Sequence, residues 1–130
     1  MKATDLQIGD WVYNTHNRQN EQVAEIGSGL VMLAYNDLYE YDEIKSIPLE
    51  KVHLTKNGFK PTDESDKVFT YYDGYKVMVT FHEGFQELKV PPSIFLQIKF
   101  AKKDLTMPIE YVHELQQAMR IMGCDKEIKL

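Results

Sequence analysis

The last third of the chain is the part that most restricts its fold. Ile94, Leu96, Ile98 and Phe100 alternate along one segment, and a proline-led segment follows whose apolar residues recur at helical spacing. Period two belongs to a strand with one buried face, and a repeat near 3.6 to a helix with one buried stripe. The pattern predicts a last long strand over 93–101, then a helix opened by Pro108 and ended by Gly123. On that helix Tyr111, Val112, Leu115, Ala118, Met119 and Met122 share a stripe, and Glu110, Glu114, Gln117 and Arg120 lie elsewhere. Each element has one apolar face to hide, so the helix is expected to lie on the sheet.

The strands before it are punctuated by turn residues. Segments 68–72 and 75–82 flank Asp73-Gly74, which predicts a hairpin with a type I′ turn. Glu83-Gly84 reverses the chain into 85–90, and Pro91-Pro92 interrupts it, giving a four-stranded meander. In the first half, Trp11 to Tyr13, Gln22 to Ile26 and Leu30 to Tyr35 read as short strands. Asn14 to Asn20 is a loop, and Gly27-Ser28-Gly29 is a reversal that exploits positive φ. Asn36-Asp37 is a further turn before Tyr39, Tyr41 and Ile44 run toward Ile47. Pro48 and Gly58 bracket a two-turn helix within 49–59. The tail 127–130 alternates weakly and suits an edge strand.

The expected class is therefore α+β: a small N-terminal SH3-like β-barrel or curled sheet, a short linking helix, and an antiparallel meander covered by the C-terminal helix. The organisation reads as 1–59, a polar connector at 60–67, and 68–130. Whether the two parts share one core is left open by the sequence.

Charge and cysteine content narrow the function classes. Residues 1–65 carry 6 basic and 11 acidic side chains, residues 66–130 carry 9 of each, and the net charge is −5. Phosphate neutralisation needs a cationic excess, so nucleic acid is a disfavoured partner, with Lys99, Lys102 and Lys103 as the local patch that would serve it. The single Cys124 makes no disulfide framework, and no apolar run approaches a signal peptide or a span of about 20 residues, so a cytoplasmic location is expected.

No phosphate loop, nucleophile elbow or metal-ligand spacing is present, and no cofactor or metal is expected. Cys124 lies past a helix C-terminus, where the dipole opposes a thiolate, and reads as a packing residue. His82, Glu83 and His113 offer a base and a carboxylate for a hydrolase only if the fold brings them together. Tyr35, Tyr39 and Tyr41 sit among Asp37, Glu40, Asp42 and Glu43, a combination that on an exposed rim would attract a cationic or protein partner. Inward packing of alternate tyrosines is the plainer reading.

Three segments carry a resemblance: 6–13 (Leu-Gln-Ile-Gly-Asp-Trp-Val-Tyr), 49–59 (ending Lys-Asn-Gly-Phe) and 110–117 (Glu-Tyr-Val-His-Glu-Leu-Gln-Gln). Together they resemble a group of small uncharacterised proteins from gut anaerobic bacteria and their prophages or mobile elements. In that group an Asn-Gly-Phe helix precedes a meander, and a helix containing Tyr-Val-His-x-Leu-Gln closes the chain. Glu114 stands where that group has glutamine, and Met119 to Met122 where it has a more aromatic run. The resemblance implies a cytoplasmic, element-encoded protein, and it singles out Tyr111, His113, Leu115 and Gln116. The functional expectation is a noncatalytic protein-interaction module using Tyr39, Tyr41, His113 and Gln116. A nucleic-acid accessory protein using Lys99, Lys102 and Lys103 is the alternative, and the hydrolase is a third reading. The partner's identity and the oligomeric state are not encoded in any motif here.

Overall fold

The computed structural model describes residues 1–35, 37–62 and 66–130. Its α+β architecture consists of two antiparallel sheets and two helices, and neither sheet is closed among these residues. Two compact units divide the chain: 1–48 with 111–117 and 130, and 49–110 with 118–129. The short helix thus groups with the second sheet. Asn36 and residues 63–65, on which the expected 36–37 turn and the 60–67 connector partly fall, lie outside the described residues.

The first unit holds β1 (Trp11–Asn14), β2 (Gln19–Ile26), β3 (Leu30–Leu33), β4 (Leu38–Glu40) and β5 (Ile44–Lys45), in the order β4-β3-β2-β1-β5. Leu6, Val12, Val23, Val31, Leu33, Tyr39 and Ile44 form its core. The expected loop 14–20 is shorter, because β1 and β2 pair from Asn14 opposite Gln19 and Arg18 takes the left-handed conformation (φ 59°) inside the turn. At the next reversal only the close approach needs glycine: a Cβ on Gly27 would lie 3.0 Å from the Leu30 carbonyl oxygen, whereas positive φ is used by neither Gly27 nor Gly29.

The second unit begins with α1 (Lys51–Lys56). The Glu50 N–H donates to His53 Nδ1 at 3.0 Å, a bond that needs an unprotonated nitrogen. Burial pulls the His53 imidazole below its ordinary value and so favours that form; Glu50 opposes the shift and Lys56 adds to it. The sheet is β6 (Lys60–Pro61), β7 (Val68–Tyr72), β8 (Lys76–His82), β9 (Ser93–Phe100) and β10 (Lys103–Ile109), in the order β10-β9-β8-β7-β6. Val77, Val79, Leu96 and Ile98 are fully buried on its inner face.

Three expectations are corrected in this sheet. Lys103–Ile109 is a strand paired along its whole length with β9, so Pro108 ends an edge strand where a missing N–H is tolerated. Segment 85–90 is no strand of the meander but a loop joining β8 to β9, closed by Phe85 N–H to Val90 O at 3.0 Å and the reciprocal bond at 2.9 Å. The 73–75 turn has three residues with only Gly74 at positive φ (75°), which rules out a type I′ turn.

Helix α2 (Val112–Ile121) starts later than Pro108 implied, and its C-terminal half, with Ala118 and Met119 buried, belongs to the second unit. The tail does not form a strand. Instead the Asn57 side-chain amide donates to Lys129 O (2.8 Å) and accepts from Lys129 N–H (2.7 Å), pairing with the backbone as a strand would and leaving Ile128 buried. Replacing Asn57 by Ala removes both bonds beside a buried side chain and should lower unfolding stability by about 2 kcal/mol, read from denaturant melts.

Candidate functional site

Burial in the first unit sorts the residues singled out by sequence. Tyr39 is only 8 % exposed and packs in the core, opposite Val31 in register, with its ring 6.1 Å from that of His16. Tyr41 is half-buried and its hydroxyl donates to the Gly27 carbonyl at 2.5 Å, tying the turn down. Of the three tyrosines expected on an exposed rim, Tyr35 is exposed, and Leu38 is exposed as well. Glu40, Asp42 and Glu43 converge because the chain forms a 3-10 turn at 41–43, where Glu43 reaches back to accept the Glu40 N–H at 3.1 Å.

His113 and Gln116 are interior as well, at 6 % and 1 % exposure. The His113 ring stacks on Tyr111 (5.7 Å, 8°), and its Nδ1 is buried with no hydrogen-bond partner among the described residues. Around it Thr4, Asp5, Ser46, Tyr111, Glu114 and Gln117 line a shallow polar cleft of about 430 Å³. Gln117, which the helical stripe passed over, has the structural role here. Its amide donates to Asp5 O (3.0 Å) and to Asp10 Oδ2 (2.7 Å), and the fully buried Asp10 carboxylate also accepts the Gln7 N–H at 2.7 Å. A second buried carboxylate, Glu21, accepts from the Asn14 and Asn17 amides at 2.6 and 3.2 Å and steadies the β1–β2 hairpin.

The second unit carries exposed groups of both kinds, charged and apolar. Because β7, β8, β9 and β10 pair in register, Tyr72 faces Lys76, Lys76 faces Lys99, and Lys99 faces Asp104, a row across the outer face. The Lys76 ammonium sits 5.8 Å from the centre of the Tyr72 ring. Lys99, Lys102 and Lys103 are all exposed, the last two at the β9–β10 turn. At the other end of the same face the His82 ring meets Phe95 edge-on at 5.3 Å. Phe81, His82, Glu83, Phe85, Val90 and Phe95 border a cleft of about 430 Å³.

Next to it the β8–β9 loop holds apolar side chains in water, Phe85 at 66 % exposure, Leu88 at 74 % and Val90 at 46 %, and Phe95 on the adjoining β9 is 42 % exposed. The loop is shaped for this. Gly84 has φ 79°, and a Cβ there would lie 2.3 Å from the Val90 carbonyl oxygen, while Lys89 adopts the left-handed conformation. The strand expected over 85–90 covered Phe85, Leu88 and Val90; the flanking Glu83-Gly84 and Pro91-Pro92 were the signal that these three belong to a loop, whereas Phe95 lies on a strand as expected.

Of the hydrolase set, Glu83 pairs with Lys67 at 3.7 Å and His82 with Phe95, both in the second unit, whereas His113 lines a cleft of the first. Burial, reinforced by the Asp125 charge, pushes the Cys124 thiol up, which makes it a poor nucleophile and suits its packed position. Among the described residues no helix is long and apolar enough to cross a membrane. No family model, curated protein or solved structure matches the chain.

Gln117→Ala leaves the buried Asp10 carboxylate short of a donor. It should cost about 1–3 kcal/mol of stability, whereas the same change at the exposed Lys103 should be neutral within about 0.5 kcal/mol, both read from thermal melts.

Proposed function

We propose that this protein is a noncatalytic protein-interaction module that binds its partner through the outer face of the second sheet and the β8–β9 loop. The observation that supports the reading best is a group of four large exposed apolar side chains, Phe85, Leu88 and Val90 on a loop closed by the Phe85–Val90 backbone pair and Phe95 on the adjoining β9. Scattered exposed apolar residues are ordinary on a protein surface, but Phe85, Val90 and Phe95 border one cleft and Leu88 lines the next with Phe85, a grouping that has the character of a contact surface. Tyr39, His113 and Gln116 then act by shaping the interior of the first unit, and contact with the partner falls to residues outside the set picked from sequence. We further read the first sheet as an SH3-like partial barrel, which the β4-β3-β2-β1-β5 order and the 3-10 turn before β5 support.

A second reading, an accessory protein on nucleic acid, draws on Lys76, Lys99, Lys102 and Lys103 beside exposed Tyr72. The two readings respond differently to salt, because phosphate contacts weaken steeply as salt rises and an apolar contact does not.

A pull-down of the tagged chain with nuclease treatment at low and high salt separates them. The interaction module predicts a protein captured under all four conditions, and its loss in the Phe85→Ser, Leu88→Ser double variant, whose melting midpoint should stay near that of the parent because both side chains are already in water. Capture that ends with nuclease, or that the double variant leaves intact, contradicts it.

A further inference from the structure

The outer face of the second sheet has two chemically different ends, and strand geometry fixes the distance between them. Phe95 and Lys99 lie on the same strand, four residues apart and on the same face. At about 3.3 Å per residue their separation is about 13 Å. The Phe95 end carries Phe85, Val90 and the cleft, and its ionic groups Lys67 and Glu83 already pair with each other. The other end carries Lys76, Lys99, Lys102 and Lys103 against Asp73 in one turn and Asp104 across the strand, a local cationic excess in a chain that is acidic as a whole.

Building on the interaction-module reading, we propose that the occupant of this face is a short acidic protein segment with an apolar anchor: the anchor fills the cleft bordered by Phe85, Val90 and Phe95, and carboxylates about 13 Å away meet Lys76 and Lys99. Size argues for a segment. Two partly exposed phenylalanines with Leu88 and Val90 present roughly 400 Å² of apolar surface, about half of the ~800 Å² that each partner contributes to a standard interface, so a second folded copy would be poorly held. Charge argues for acid. Lys76 and Lys99 stand directly opposite each other with Asp104 on the far side of Lys99, and with Lys102 and Lys103 at the same end the four lysines outnumber Asp73 and Asp104, a surplus that further carboxylates would offset. A polyanionic nucleic acid would satisfy the lysines but would leave the apolar loop without a complement, and it would approach a chain of net charge −5.

The spacing sets the sequence of the segment. If it runs extended beside β9, the carboxylates follow the anchor by about four residues; if it is helical, at about 1.5 Å per residue, they follow by about nine.

The test is an amide-resonance titration of the full chain with three twelve-residue extended peptides. They share a Phe-Leu anchor and differ only in carrying three glutamates, three glutamines or three lysines centred four residues on; a ten-nucleotide oligothymidine is run in parallel. The proposal expects the glutamate peptide to shift the amides of Ser93, Phe95, Lys76 and Lys99 and to bind about five-fold more tightly than the glutamine peptide. A Lys76→Glu, Lys99→Glu variant, altered only at partly or fully exposed positions, should abolish that advantage while still binding the glutamine peptide. Equal binding of the glutamate and glutamine peptides overturns the acidic assignment and leaves the interaction-module reading standing. Absence of shifts on this face with every peptide overturns both, and binding of oligothymidine alone overturns both in favour of the nucleic-acid reading.

Discussion

Val77, Val79, Leu96 and Ile98 have no solvent exposure, and the two-residue period of a strand ties the rest of the second sheet to that fact. Once these four face inward, their neighbours Lys76, Met78, Gln97 and Lys99 must face outward. The register of β7, β8 and β9 then decides which of them meet. A slip of one residue would bury two lysines and expose the core, a change far too costly for the fold to tolerate, so the lysine row is as firmly specified as the core itself. The candidate contact face is in this sense a by-product of hydrophobic burial, and only the β8–β9 loop adds structure that the core does not demand.

The first unit spends its polar side chains differently. Its buried carboxylates, Asp10 and Glu21, are each met by amide donors, and Tyr41 and Gln117 fasten a turn and the N-terminal segment respectively. A carboxylate taken out of water is tolerated only with such partners, and removing a partner costs more than the bond itself contributes. The residues that looked like a binding set in sequence, Tyr39, His113 and Gln116, are part of this interior. His113 Nδ1 stands apart as a buried nitrogen with no partner among the described residues, beside a polar cleft lined by Asp5, Ser46 and Glu114.

Much of the fold was legible where periodicity was strong. The alternation through β8 and β9, the 73–75 turn and the apolar stripe of α2 all point to elements that exist. What misled was punctuation with two meanings. Pro108 opens helices and also ends edge strands, and only pairing with β9 distinguishes the cases. Segment 85–90 has strand-like composition, yet its ends bond to each other, a closure that depends on Gly84 and Lys89 adopting positive φ. Asn57 pairs with Lys129 at a separation of 72 residues, beyond the reach of any local pattern. The candidate site was less legible still. Lys99, Lys102 and Lys103 stand out as a sequence cluster, but Lys76 joins them only through cross-strand register, and the exposure of Phe85 and Leu88 follows from the loop's shape.

The central claim is that the outer face of the second sheet, and no other exposed apolar site, meets a protein partner. Site-specific photocrosslinking in cells tests it most directly, with a photoreactive phenylalanine placed at Phe95 and, as the comparison, at the more exposed Ile8 of the first unit. The account predicts a discrete protein adduct from position 95 and none from position 8. Adducts from position 8 alone, or none from position 95 under conditions where the chain is folded, would contradict it.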